Sequence, residues 1–392
     1  MISLRARRIA TPEQELHDHW VSIEHGDIVG VTPGPMPGAE QVDLGDVDLL
    51  PGLIDLHSDC LERHRYPRPG AEVDLLAALL AVDAEAAANG ITTNFVCASF
   101  EEDAAKGRTS NNALDLVNTL GHWHARLRVD HYIHSRIELW QADLELVRTA
   151  LGNPRTKLVS YMDNHAATNR PVALDDIRHS IWGQTHPDHD RAGPLPAGIV
   201  DEVRRYVCAL AQDSGLVLAS HDDPTRAAVT TAARLGVDII EFPTTSEAAD
   251  AASAGDRAIV MGAPNAVRGA SRVGRLSARA VAASGALTAL VSDYHIPSLL
   301  AAIYALEDAD VCSWNDAVKL ATTAPADLAH LTDRGAITPG RRADLIAVTR
   351  HDRYPVVHTM WRNGKPLYAF GPPTVSPTTR SEALATGPTP HN

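Results

Sequence analysis

The chain has 392 residues, 44% hydrophobic and 21% charged, enough to bury the core of one large α/β unit with a small appendage. Its 35 basic and 49 acidic residues leave a net charge of −14 without a basic run, which argues against a nucleic-acid or anionic-membrane surface. No apolar span is long enough for a bilayer, MISLRARRIA lacks the features of a signal peptide, and Cys60, Cys97, Cys208 and Cys312 show no paired spacing. A cytoplasmic protein without a disulfide framework or thiolate zinc site is expected.

Residues 1–50 alternate short β-rich runs with turns: Ile2–Ile9, Val21–Val31 broken at Gly26-Asp27, and Gln41–Leu50. They are too few to bury a core alone. Matching runs recur at Ala343–Val348, Val356–Trp361 and Lys365–Phe370, so 1–50 and 335–370 are expected to form one small β-sandwich domain together. Beyond Gly371 the chain is rich in Pro, Thr, Ser and Gly, and 371–392 reads as a disordered tail.

Between the two ends, over 51–334, strand and helix patterns alternate. Candidate strands are Leu53–His57, Ile91–Ala98, His131–Leu139, Lys157–Met162, Leu216–His221, Val237–Phe242, Ala258–Gly262 and Ala289–Asp293. Alanine-rich segments of helical length lie between most of them, such as Leu75–Asn89 and Ile199–Ser214. Eight such repeats predict a (β/α)8 TIM barrel with its active site at the strand C-termini; no glycine-rich nucleotide fingerprint supports a doubly wound sheet instead.

Several of those strand ends carry metal-ligating side chains. The first strand stops abruptly in His57-Ser-Asp59, two ligands at i and i+2. The third carries His134-Ser-Arg136-Ile-Glu138, and the fourth ends in Met162-Asp163-Asn164-His165. The fifth ends in His221-Asp222-Asp223 and the eighth in Asp293-Tyr294-His295. Any one of these could be a capping carboxylate or a surface histidine. Five together, on strands that converge, point to a metal site.

The Pro-Gly-Leu-Ile-Asp-Leu-His opening, the Asp ending strand 8, the split β-domain and the closing Gly335–Leu345 run resemble the amidohydrolase superfamily. Within it, His57–Gly70, Ala219–Thr225, Glu241–Glu247 and Met261–Gly274 are similar to the α-D-ribose 1-methylphosphonate 5-triphosphate diphosphatases of phosphonate metabolism. The resemblance implies an amidohydrolase-type barrel that hydrolyses a ribose triphosphate to its 5-phosphate and diphosphate with metal-activated water. It implies one or two divalent ions, zinc first, with manganese and iron also compatible, held by His57, Asp59, Glu138, His165 and His221. Asp293 is expected as a weak ligand or as the general base.

A phosphorylated substrate needs positive charge. Arg63, His64 and Arg68 after strand 1, and Arg268 and Arg272 after strand 7 among glycines, are the expected phosphate contacts, with Tyr294 beside them. One stretch departs from the family: where it writes Met-Asp-His, this chain has Met162-Asp163-Asn164-His165, so either His165 or Asn164 takes the strand 4 ligand place. His179, His186 and His189 lie in the long stretch that follows and read as part of a lid. Strand 6 ends in Glu241-Phe-Pro243 without a histidine, in keeping with the subfamily.

The competing function is hydrolysis of a C–N bond in a cyclic amide or base, which would need no arginine cluster. A catalytically dead scaffold is disfavoured by the intact His57, Asp59, His221 and Asp293. The expected partner is a small phosphorylated molecule, and a homodimer is the expected assembly.

Overall fold

The computed structural model describes residues 1–103, 106–163, 197–269 and 276–369. Eight consecutive parallel strands form one sheet in chain order: β6 (Leu53–Ser58), β7 (Ile91–Phe100), β8 (Asp130–Glu138), β9 (Thr156–Met162), β10 (Val217–His221), β11 (Ile239–Glu241), β12 (Ala258–Gly262) and β13 (Ala289–Val291). The sheet curls until its last strand meets its first. There the Asp293 N–H donates to His57 O (2.9 Å) and the Asp59 N–H to Asp293 O (2.8 Å), around a Ser58–Asp293 bridge. This is the expected TIM barrel.

The strands form because both of their faces are buried. All ten residues of β7 and all six of β6 are buried, as parallel strands covered by helices require. Ile54, Leu56, Phe95, Leu158, Val260 and Val291 belong to one apolar cluster within the barrel, while Leu53, Val96, Ile133, Ile240 and Leu290 join the cluster that includes the helices. The helices begin with caps: Asp74, Thr109, Asp143, Thr225 and Thr245 each accept from backbone N–H groups of the first turn.

The second sheet joins both ends of the chain, as the matching β-rich runs anticipated. It contains β1 (Ile2–Ala10), β2 (Glu15–Glu24), β3 (Asp27–Thr32), β4 (Glu40–Asp43), β5 (Asp48–Pro51), β14 (Leu345–His351), β15 (Tyr354–Arg362) and β16 (Lys365–Ala369). Its order is β16-β15-β14-β5-β1-β2-β3, with β4 pairing β1. The run expected over Gln41–Leu50 is split into β4 and β5 around Gly45, whose φ is +78°. At Pro51-Gly52 the chain passes from this sheet into the barrel. A Cβ on Gly52 would lie 2.3 Å from the Thr92 side chain, so only glycine fits. The segment 371–392 lies outside the described residues, and no helix among those described is long and apolar enough to cross a membrane.

Three arginines tie the two sheets at the base of the barrel. Asp130, the first residue of β8, accepts from Arg334 Nη1 (2.6 Å), pairs with Arg342 Nη1 (2.8 Å), and accepts from Arg362 of β15. Burial opposes ionisation of this carboxyl, but Arg342, Arg362 and Arg334 outweigh it and bring its pKa from 3.8 down to about 2. A pKa depressed on folding stabilises the native state above the unfolded value, and that stabilisation is lost as the pH falls through the folded one. Asp130→Asn is therefore expected to lower unfolding free energy by ~2 kcal/mol near neutrality, with the gap to the native protein closing between about pH 4 and 2. Denaturant titrations across that range provide the check; a difference independent of pH would assign the loss to packing.

Candidate active site

The C-terminal strand ends converge because three of them turn sharply. Asp222, Phe242 and Asp293 follow β10, β11 and β13 closely and have φ of 60°, 52° and 54°, a left-handed conformation that is costly for any residue but glycine. Each donates its N–H to a neighbouring strand: Asp222 to Glu241 O (2.9 Å), Phe242 to Val260 O (2.9 Å) and Asp293 to His57 O. On β6 the register against β7 slips between Asp55 and Ser58, a bulge-like irregularity of the kind that re-aims side chains.

These turns gather His57, Asp59, His221, Glu241 and Asp293. His57 donates Nδ1–H to Glu241 Oε1 (3.1 Å), and its ring packs against Phe242 at 5.1 Å and His221 at 5.7 Å. Burial, helped by Arg136, holds the His57 pKa down to about 3, so the imidazole is neutral. A carboxylate on Nδ1 fixes the tautomer and leaves Nε2 with its lone pair free, the usual support for a metal-binding histidine. His57 Nε2 is buried with no hydrogen-bond partner among the described residues, and Glu241 Oε2 and His221 Nδ1 share that condition.

Asp59 receives two guanidiniums. Arg108 Nη2 donates to Oδ1 (2.6 Å) and Arg136 Nη1 to Oδ2 (2.8 Å). Burial opposes its charge, yet Arg136 and Arg108 hold this carboxyl well below the usual range. Arg108 is itself shared with Glu62 and Glu101, both at 2.7 Å. Arg136 reaches on to His221 Nε2 (3.3 Å) and Met162 Sδ (3.1 Å). Among the described residues Asp293 has no such partner, and burial together with Asp59 raises its pKa to about 7.

Among the described residues, potential ligand atoms lie within 4.8 Å of one another in three sets, all including His57: with Asp59 and Asp293, with His221 and Glu241, and with Cys97 and His134. Both His134 nitrogens are engaged: Nδ1–H donates to Leu56 O (3.0 Å) and Nε2 accepts from Ser160 Oγ (2.9 Å). The orphaned His57 Nε2 beside two carboxylates fits a divalent ion, because imidazole and carboxylate suit zinc, manganese or iron. A cavity of about 270 Å³ opens here, lined by Arg136, His221, Arg268, Asp293 and Tyr294 among others.

The sequence pattern of the Amidohydrolase family matches residues 202–370. The α-D-ribose 1-methylphosphonate 5-triphosphate diphosphatase of Escherichia coli K12 is 32% identical over 368 residues, covering 91% of this chain and 97% of that protein. The chain belongs to the amidohydrolase family. Among solved amidohydrolase-fold structures it resembles N-isopropylammelide isopropylaminohydrolase from Burkholderia multivorans, with TM-score 0.64, 16% identity and coverage of 93% and 98% of the two chains. It likewise resembles N-acetyl-D-glucosamine-6-phosphate deacetylase from Mycobacterium smegmatis, with TM-score 0.63, 16% identity and coverage of 94% and 100%.

Of the residues this amidohydrolase was expected to use, His57, Asp59, His221 and Asp293 meet at one place, and Arg268 and Tyr294 line the cavity. Glu138 is buried at the end of β8 but joins none of the three sets among the described residues. Arg63 and His64 are not at the cavity: both pair with Glu85 on the helix Leu75–Ala88, His64 at 2.8 Å, and Arg63 also donates to Tyr294 O (3.4 Å). Arg68 is exposed beside a separate surface hollow. His165, Asn164, Arg272 and the loop histidines 179, 186 and 189 lie outside the described residues.

Sequence reasoning passed over Arg136, Arg108, Glu241 and Asp55. Arg136 was legible in principle, because strand alternation puts His134, Arg136 and Glu138 on one face. Asp55 sits in the apolar run of β6, where its Oδ1 accepts from the His57 N–H (3.2 Å) and the Ser292 N–H (3.0 Å), joining the first and last barrel strands.

Proposed function

We propose that this amidohydrolase is a metal-dependent diphosphatase that cleaves α-D-ribose 1-methylphosphonate 5-triphosphate to the 5-phosphate and diphosphate. The activity named for the Escherichia coli relative, which aligns over nearly the whole of both chains, supports this reading. The observation that carries it in this molecule is that Arg268 lines the same cavity as Asp293, in a protein of net charge −14. A guanidinium is out of place around a neutral cyclic amide and suits phosphate oxygens. Arg268 has no ion-pair or hydrogen-bond partner for its side chain among the described residues, so its donors are free for the substrate.

His57 through Nε2 and Asp59 would hold the divalent ion, with Asp293 alongside. When bound there, such an ion supplies Lewis acidity, bringing the pKa of a water toward neutrality. Asp293, beside His57 and Asp59 and without an arginine partner among the described residues, is suited to take that water's proton. The water oxygen adds to the α-phosphorus, the P–O bond to the bridging oxygen breaks, and diphosphate leaves with the electron pair. Arg268, which lines the same cavity, is placed to meet the charge that accumulates on the phosphate oxygens.

The test is diphosphate release by the metal-loaded protein from the ribosyl methylphosphonate triphosphate, ATP and GTP, with a cyclic amide as contrast. Selective release from the first is expected; turnover of the cyclic amide alone would overturn the reading. Asp293→Asn keeps an oxygen at the same position but loses the base, so kcat should drop by roughly 10²–10⁴ with the metal retained. Parallel loss of metal and activity would make Asp293 chiefly a ligand. Arg268→Ala should raise KM for the triphosphate about tenfold or more while kcat changes little, as loss of a charge-assisted contact made before the transition state predicts. An unchanged KM would remove Arg268 from the phosphate subsite.

A further inference from the structure

The geometry points to a single-ion centre in which the Arg136 guanidinium takes the place of a second metal ion, bridging Asp59 and His221. The inference rests on the metal-dependent reading above and specifies how many ions that site takes and which histidine is not a ligand.

Arg136 is buried and its head group is held at three points. Nη1 lies 2.8 Å from Asp59 Oδ2, and Nη2 lies 3.1 Å from Met162 Sδ and 3.3 Å from His221 Nε2. A guanidinium has donors and no acceptor, so the contact with His221 has one possible direction: Arg136 donates and Nε2 accepts. A neutral imidazole that accepts at Nε2 carries its proton on Nδ1. With Nε2 committed to Arg136 and Nδ1 protonated, neither nitrogen of His221 has a lone pair left for a metal.

This accounts for the orphaned His221 Nδ1, which is buried with the nearest carboxylate oxygen, Asp222 Oδ1, 3.8 Å away. Among the described residues that N–H lacks an acceptor, whereas the orphaned His57 Nε2 lacks a donor or a cation. The two unsatisfied rings therefore differ in kind, and of the two only His57 is prepared as a ligand.

The same guanidinium bears on Asp59. A metal bridging Asp59 Oδ2 and His221 Nε2 needs to approach each atom to about 2.0–2.2 Å, in the space where the Arg136 nitrogens already stand. Arg136 cannot vacate that charge by deprotonating, because guanidinium stays protonated in proteins. Its positive charge therefore serves the neutralising role of a second ion while being covalently fixed. The remaining ion is left to His57 and Asp59, with Asp293 alongside, on the side of the site where β6 meets β13.

The experiment is metal counting on the full-length protein. The purified chain is stripped with chelator, reloaded with excess manganese, desalted and measured by elemental analysis and by electron paramagnetic resonance. One ion per chain with an uncoupled manganese spectrum is expected. Two ions with a spin-coupled signal would overturn the inference while leaving the metal-dependent reading intact. Diphosphate release that persists in a protein binding no ion would overturn both.

Two variants separate the roles. Arg136→Met removes the charge while keeping much of the bulk and should raise the count toward two in excess manganese; a count still at one would show that the guanidinium was not holding a second ion's place. His221→Asn should keep one ion with manganese affinity within about threefold of the native protein, and loss of the ion would make His221 a ligand. Circular dichroism confirms folding, and if Arg136→Met fails to fold, the native count and His221→Asn still decide.

Discussion

A carboxylate largely withdrawn from water at the mouth of a barrel has to be neutralised, and the way Asp59 is neutralised shapes everything around it. A single arginine could not do so without being left half-paired itself, so the charge is spread over a chain: Arg136 and Arg108 on Asp59, then Glu62 and Glu101 on Arg108. In a low-dielectric interior such a chain is stable only when every member is present, since removing one strands its neighbours as unpaired charges. The site is thus a lattice of fixed charges, and the positions of those charges decide which donors remain available. Glu241, engaged through Oε1 with His57, shows the same economy in orienting an imidazole through the nitrogen that is not needed for binding.

The backbone carries part of that arrangement. Asp222, Phe242 and Asp293 adopt a conformation that most side chains avoid, and each is held there by an N–H bond to the adjacent strand. Strain of order 1–3 kcal/mol per residue persists only where its surroundings over-determine it. Here it turns the chain immediately after His221, after Glu241 and just beyond β13, so that functional groups from neighbouring strands face one another instead of following the strand axes outward.

The barrel was legible because its signal is repeated eight times, and the split terminal sheet because both ends of the chain carry the same short β-rich pattern. The meeting of His57, Asp59, His221 and Asp293 was legible because polar side chains close apolar runs. What sequence position does not carry is direction. Arg63 and His64 stand only a few residues past β6, but the short helix Leu61–Arg65 turns them to Glu85. Arg108 sits in a loop with no motif to mark it and meets Asp59 solely through the tertiary fold. Glu241 was weighed for the histidine it is not, although a carboxylate ending a buried strand is itself a signal, and Asp55 was concealed by the apolar residues that bury it.

The meeting of β6 with β13 also sets an order in time. The Asp55 carboxylate and the Ser292 N–H that it binds are 237 residues apart, so the closure joins one of the first parts of the barrel to be synthesised with one of the last. On the ribosome, His57 emerges long before Asp293 exists, and the strand that carries it is left with an unpaired edge throughout. A nascent or truncated chain lacking β13 therefore presents an open sheet instead of a gathered site, and late closure exposes the unfinished chain to edge-to-edge association.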